Sequence, residues 1–117
     1  MSAAGHAAGR AAEEVAARFL ERQGLAIVAR NYRCRAGEID LVARDGDTLA
    51  FVEVRLRGSE AFGGARESVD AAKQRRILQA ARHYLAGRPE QPCRCDVVLL
   101  DRLDPARVEW IRDAFRE

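Results

Sequence analysis

Apolar residues at Ala8, Ala12, Val15, Ala16, Phe19 and Leu20 recur at three- and four-residue intervals, which predicts a helix from Ala8 to Gln23. Gly24 stops it as a C′ residue, the place where a left-handed backbone is needed. The period then shortens. Leu25–Arg33, with Ile27, Val28 and Tyr32, predicts a strand, as do Glu38–Arg44 and Leu49–Arg57. Asp45-Gly46 between the last two is a hairpin signal. Gly58 to Arg66, with Gly58, Gly63 and Gly64, is a loop beside a strand end. A second helix is predicted over Ser68–Ala86, with Ser68 as N-cap and Gly87 at its end. Its stripe is Val69, Ile77, Ala80, Ala81 and Tyr84. Cys95–Leu100 is a continuous apolar run and Val108–Ile111 a last strand, with Asp104-Pro105 breaking the chain between them.

The order is therefore αβββαββ. A strand, a helix and then a buried strand form a right-handed crossover between parallel neighbours, whereas the hairpin is antiparallel. The expected fold is α/β, with a mixed central sheet flanked by helices. At 117 residues the whole chain, 1–117, makes one domain around one core, with residues 1–7 expected to be disordered.

Composition narrows the class. Hydrophobic residues at 48% and charged residues at 32% describe a globular chain rather than a disordered one. No apolar run approaches the ~20 residues that cross a bilayer, and Met1–Arg10 lacks the basic and apolar regions of a secretory signal. No membrane association and a cytoplasmic location are expected. Cys34, Cys93 and Cys95 are odd in number, and Cys93 and Cys95 stand too close for a common zinc knuckle. Buried or half-buried free thiols are expected. A net charge of +2 makes no global case for nucleic acid, but Arg30, Arg33 and Arg35 form an acid-free stretch. Lys73 is the one lysine among 20 basic residues, in a chain with the arginine bias of a high-GC genome. It falls inside the apolar stripe of its helix, one turn before Ile77, and so points toward the sheet.

Strand alternation gathers the acids. On the third strand Ala50, Val52, Val54 and Leu56 share one face, and Phe51, Glu53 and Arg55 the other. On the second, Ile39, Leu41 and Ala43 oppose Glu38, Asp40, Val42 and Arg44. A two-residue loop at Asp45-Gly46 pairs Glu38 with Glu53; a four-residue loop pairs Asp40 with Glu53; a three-residue loop breaks the arrangement unless a bulge restores it. In the first two cases Asp40 and Glu53 are direct or diagonal neighbours on one face. Like charges so placed call for a raised pKa, a basic partner such as Arg55, or a divalent cation. Mg²⁺ suits such a pair, since it takes one or two carboxylates and keeps several waters. On the first helix Glu13 borders the apolar stripe and Glu14 points away, so Glu13 is the acid that can reach a site. Each residue also has a plainer role: a solvated ion pair on a strand, a lysine whose stem packs while its amine reaches water, or a helix-surface glutamate paired one turn on.

Gly9-x-x-x-Glu13, Asn31-Tyr32, Gly37-Glu38-Ile39-Asp40-Leu41, Phe51-Val52-Glu53-Val54-Arg55, Lys73-Gln74 and Arg94-x-Asp96-Val97-Val98 together resemble the YraN-type family of uncharacterised bacterial proteins. That family is similar to the PD-(D/E)XK nuclease superfamily and, within it, to archaeal Holliday-junction resolvases. The resemblance implies a restriction-endonuclease-like core and a DNA endonuclease needing Mg²⁺ or Mn²⁺, acting on branched or single-stranded DNA. It implies Glu13, Asp40 and Glu53 as metal ligands, with Asp40, Glu53, Arg55 and Lys73 as the catalytic set. Arg33, Arg35, Arg57 and Gln74 would contact nucleic acid, and a homodimer would fit the superfamily's habit of cutting two strands. One departure stands out: Arg55 occupies the superfamily's lysine position, and a guanidinium holds phosphate but does not give up its proton. Lys73 is the ammonium that can replace it. The alternative is a decayed nuclease fold that binds nucleic acid or a protein without cutting.

Overall fold

The computed structural model describes residues 3–57, 69–101 and 105–116, with side chains from residue 9 on, apart from those of 57 and 105. Helix α1 runs Ala3–Arg22, followed by β1 (Ala26–Cys34), β2 (Gly37–Asp45) and β3 (Thr48–Arg57). Helix α2 (Ala71–Leu85), β4 (Cys93–Asp101), a 3₁₀ turn at Pro105–Arg107 and β5 (Val108–Phe115) complete the chain. The order is αβββαββ, as the periodicities predict. α1 starts at Ala3 rather than Ala8, so it takes in residues 3–7, for which disorder was expected. The Gly58–Arg66 loop and Ser68 lie outside the described residues.

The strands lie in the sheet in sequence order, β1-β2-β3-β4-β5. All neighbours are antiparallel except β3 and β4, which run parallel in unbroken register from Leu49↔Cys93 to Arg57↔Asp101. A helix covers each face. Ala16, Ala17 and Leu20 of α1 pack on Leu41, Ala43, Ala50, Val52, Val98 and Leu100. Ile77, Ala80 and Ala81 of α2 pack on Ile39, Val42, Phe51, Val97 and Leu99. Alternation on β3 is as predicted, with Ala50 and Val52 toward α1 and Phe51 toward α2.

Both helix ends are explained by local chemistry. Gly24, at φ +98°, lets Gly24 N–H donate to the Glu21 carbonyl and Leu25 N–H to the Leu20 carbonyl, while Leu20 and Leu25 pack together in the core. α2 begins at Ala71, not near Ser68: the Asp70 carboxylate accepts from Lys73 N–H at 2.8 Å and is the cap. β5 continues to Phe115, past the predicted Ile111, because a bulge with Asp113 at φ +52° keeps it paired to β4 as far as Cys95↔Phe115. All three cysteines are free thiols; Cys95 is buried and Cys34 half-buried, but Cys93 is exposed, contrary to expectation. No helix among the described residues is long and apolar enough to cross a membrane.

Candidate metal and phosphate site

The site grows out of a fork in the sheet. β2 and β3 pair from the turn at Asp45↔Thr48 down to Leu41↔Val52. Below that point β2 pairs only with β1, and β3 only with β4. The two-residue loop is Gly46-Asp47, not Asp45-Gly46; Gly46 at φ +63° makes the tight turn. The resulting register is the one in which Asp40 faces Glu53. Where the next ladder bond would form, the Asp40 carboxylate takes over and accepts from Val54 N–H at 2.8 Å.

Alternation fails on β2 at this residue. Ile39 belongs to the core under α2, whereas Leu41 belongs to the core under α1, so the two do not share a face as expected. Asp40 stands where the strand changes sides. The facing strand is irregular too, with Asn31 at φ +50° and a register shift between Ile27 and Ala29. As a result one carboxylate oxygen from each of Glu13, Glu38 and Asp40 lies within 4.8 Å of the others. Glu53 borders Asp40 from β3 and is 4% exposed.

The acids differ in what holds them. Glu14 bonds to Arg18 at 3.0 Å and Arg30 at 2.8 Å, and those bonds lower its pKa. Glu38 accepts from Arg33 at 3.1 Å. Glu53 has Lys73 Nζ at 3.5 Å and Arg55 at 3.7 Å. Glu13 and Asp40 have only neutral donors among the described residues: the Asn31 amide for Glu13, at 2.9 Å, and the Val54 N–H for Asp40. Burial raises the Glu13 pKa, and the Asp40 and Glu38 charges add to that against the Asn31 bond. Burial first, and then the charge of Glu53, push Asp40 up to about 8.

Most of the residues singled out in the sequence meet at this fork. Glu13 comes from α1, Asp40 from β2, Glu53 and Arg55 from β3, and Lys73 from the first turn of α2. Arg33 reaches Glu38, and Arg35 is exposed at the β1–β2 turn. Gln74 donates to the Val69 carbonyl at 2.8 Å, which ties down the chain entering α2. The Arg57 side chain is outside the described residues. Sequence reasoning gave no role to Asn31 and left that of Glu38 open. The available signal for Asn31 was an asparagine inside a strand, a residue type depleted there and tolerant of the left-handed region.

The family match runs over residues 12–100 and carries the description uncharacterised protein family UPF0102. The chain belongs to that family. The protein UPF0102 NE0719 of Nitrosomonas europaea is 53% identical over 118 residues, 100% of this chain and 99% of that protein. A UPF0102 protein of Dechloromonas aromatica is 56% identical over 109 residues, 93% of this chain and 88% of its own length. The UPF0102 match starts one residue before Glu13 and contains every site residue discussed above.

Carboxylate oxygens are hard donors of the kind Mg²⁺ and Mn²⁺ take, and those of Glu13, Glu38 and Asp40 are near enough to one another to be drawn onto one such ion. A cleft of 330 Å³ opens elsewhere, walled by Phe51, Leu85, Cys93, Arg94 and Phe115, and holds none of these acids.

Proposed function

We propose that this chain is a Mg²⁺- or Mn²⁺-dependent endonuclease acting on DNA, branched or single-stranded, in the cytoplasm. The observation that carries the reading is the state of Glu13 and Asp40: two adjacent carboxylates, the first partly and the second largely removed from water, held only by neutral donors among the described residues. Burying negative charge without a counter-charge is costly, and a divalent cation relieves that cost. When bound, the metal acidifies a water and stabilises charge on the scissile phosphate.

The protein's own groups do the rest. Glu13 and Asp40 would hold the ion together with Glu38, whose carboxylate oxygen lies within 4.8 Å of theirs, and Glu53, which borders Asp40, would complete the set. Lys73 and Arg55 share Glu53 and stay about a third to two-fifths exposed, so both can swing a donor to a phosphate oxygen. Arg55 offers a planar fork and Lys73 a point charge, so the ammonium from α2 fills the role that arginine leaves open. Arg33, Arg35 and Arg57 steer the backbone without reading bases, and Gln74 braces the approach to Lys73. A second reading, a non-cleaving nucleic-acid- or protein-binding module, draws on Arg55 at the superfamily's lysine position.

The test is calorimetric titration of Mn²⁺ into the wild type, Glu13→Gln and Asp40→Asn, with cleavage of branched DNA measured on the same samples. Binding that weakens at least tenfold in both variants, with metal-dependent cleavage lost alongside, is expected. Salt-dependent DNA binding that ignores EDTA, with no cleavage in Mn²⁺, would instead establish the module. Lys73→Ala should keep metal binding and lose most cleavage; undiminished cleavage in that variant removes the ammonium from the mechanism.

A further inference from the structure

Arg30 and Asn31 are neighbours on β1, yet both address α1: Arg30 bonds Glu14 at 2.8 Å and Asn31 bonds Glu13 at 2.9 Å. A regular strand would send them to opposite faces. Ala29 before them and Tyr32 after them both pack on the α2 side, so the φ of +50° at Asn31 is what turns two successive side chains the same way. Successive strand residues thus take successive helix glutamates, and they treat them differently. A guanidinium neutralises Glu14. An amide orients Glu13 and leaves its charge intact.

We infer that Asn31 is a positioning residue that fixes the Glu13 carboxylate for a divalent cation without competing with the cation for its charge. This rests on the metal-site reading above. Few side chains meet both demands of the position. Asparagine and aspartate are the non-glycine residues that enter the left-handed region most readily, and an aspartate would add repulsion instead of a donor. Glycine accepts the backbone but has no donor. Arginine or lysine would donate but would also neutralise the ligand. Polar partners of metal ligands commonly matter 10–100-fold to affinity.

Asn31→Gly keeps the backbone conformation and deletes the amide, whereas Asn31→Ala deletes the amide and strains the backbone. Mn²⁺ affinity, read by calorimetry, should fall about tenfold or more in both, while only Asn31→Ala should melt at a lower temperature. Arg30→Ala, which frees only Glu14, should bind Mn²⁺ as the wild type does. In a Glu13→Gln background, Asn31→Gly should cost no further affinity, because the amide acts through Glu13. Wild-type affinity in Asn31→Gly, or a loss that persists undiminished in the Glu13→Gln background, overturns the inference and leaves the metal site standing. No Mn²⁺ binding by the wild type overturns both.

Discussion

Burial and the neighbouring Glu53 charge keep the Asp40 carboxyl protonated up to about pH 8 in the metal-free protein. The fold raises this carboxyl from its ordinary 3.8, so between those values the folded chain binds more protons than the unfolded one. The stabilisation from the protonated group is complete below the unfolded value and disappears as pH rises through the folded one. Metal-free protein should therefore lose stability to urea from about pH 5 to about pH 8.5, and Asp40→Asn should flatten that slope. A wild type and Asp40→Asn variant of equal slope would show that Asp40 ionises normally. Mn²⁺ added at pH 8 should restore the lost stability by binding only the folded chain. At this scale much was legible in the sequence. The edge of a helical stripe distinguished Glu13 from Glu14, a hairpin brought Asp40 to Glu53, and an isolated lysine on an apolar stripe pointed Lys73 inward. Asn31 and the closeness of Glu38 to Glu13 were not legible, because alternation assumes a regular pleat and one left-handed residue cancels it.

Between elements, the placing of Lys73 depends on how closely α2 approaches β2. A Cβ added at Gly37 would stand 3.1 Å from the Arg76 carbonyl oxygen and 3.2 Å from its Cβ. The helix would have to back away by a few tenths of an ångström, and it carries Lys73 with it. Gly37→Ala should cost about 1–3 kcal/mol, in the range of other overpacked sites, read as a lower urea midpoint. Unchanged stability would mean that the helix moves freely over the strand. Across the sheet, Asp96 is fully buried and satisfied by Arg94 at 3.0 and 3.1 Å, Trp110 at 3.1 Å and Asp113 N–H at 2.9 Å. That network explains why β5 outruns its predicted end. The charged run Arg112-Asp113 reads as a terminus in sequence, but Asp113 N–H is an internal partner. The α2 start was misplaced for a similar reason: serine and aspartate are both good caps, and only the bond to Lys73 N–H distinguishes Asp70.

For the whole molecule, the outer strands bear on how copies meet. β1 carries a bulge, a left-handed Asn31 and two arginines; β5 carries a bulge, a left-handed Asp113, Glu109 and Arg112. Such features discourage edge-to-edge pairing. The free chain should sediment as a single copy at micromolar concentration, and a homodimer formed on DNA would have to use helix or loop surfaces. A dimer abolished by Val28→Lys, at an exposed position of β1, would show that the sheet does extend across that edge.

The bond from Val54 N–H to Asp40 has a consequence for evolutionary comparison. Asp40 fills an amide left open by the fork, so removing its acceptor would leave that group unsatisfied whatever the chain's activity. Selection for folding alone can therefore preserve Asp40 in a relative that has no catalytic activity. Glu13 is held by Asn31 and caps no main-chain group among the described residues, so stability protects it far less. In a lineage drifting away from chemistry, Glu13 should vanish first, and its survival is the better witness to a living enzyme.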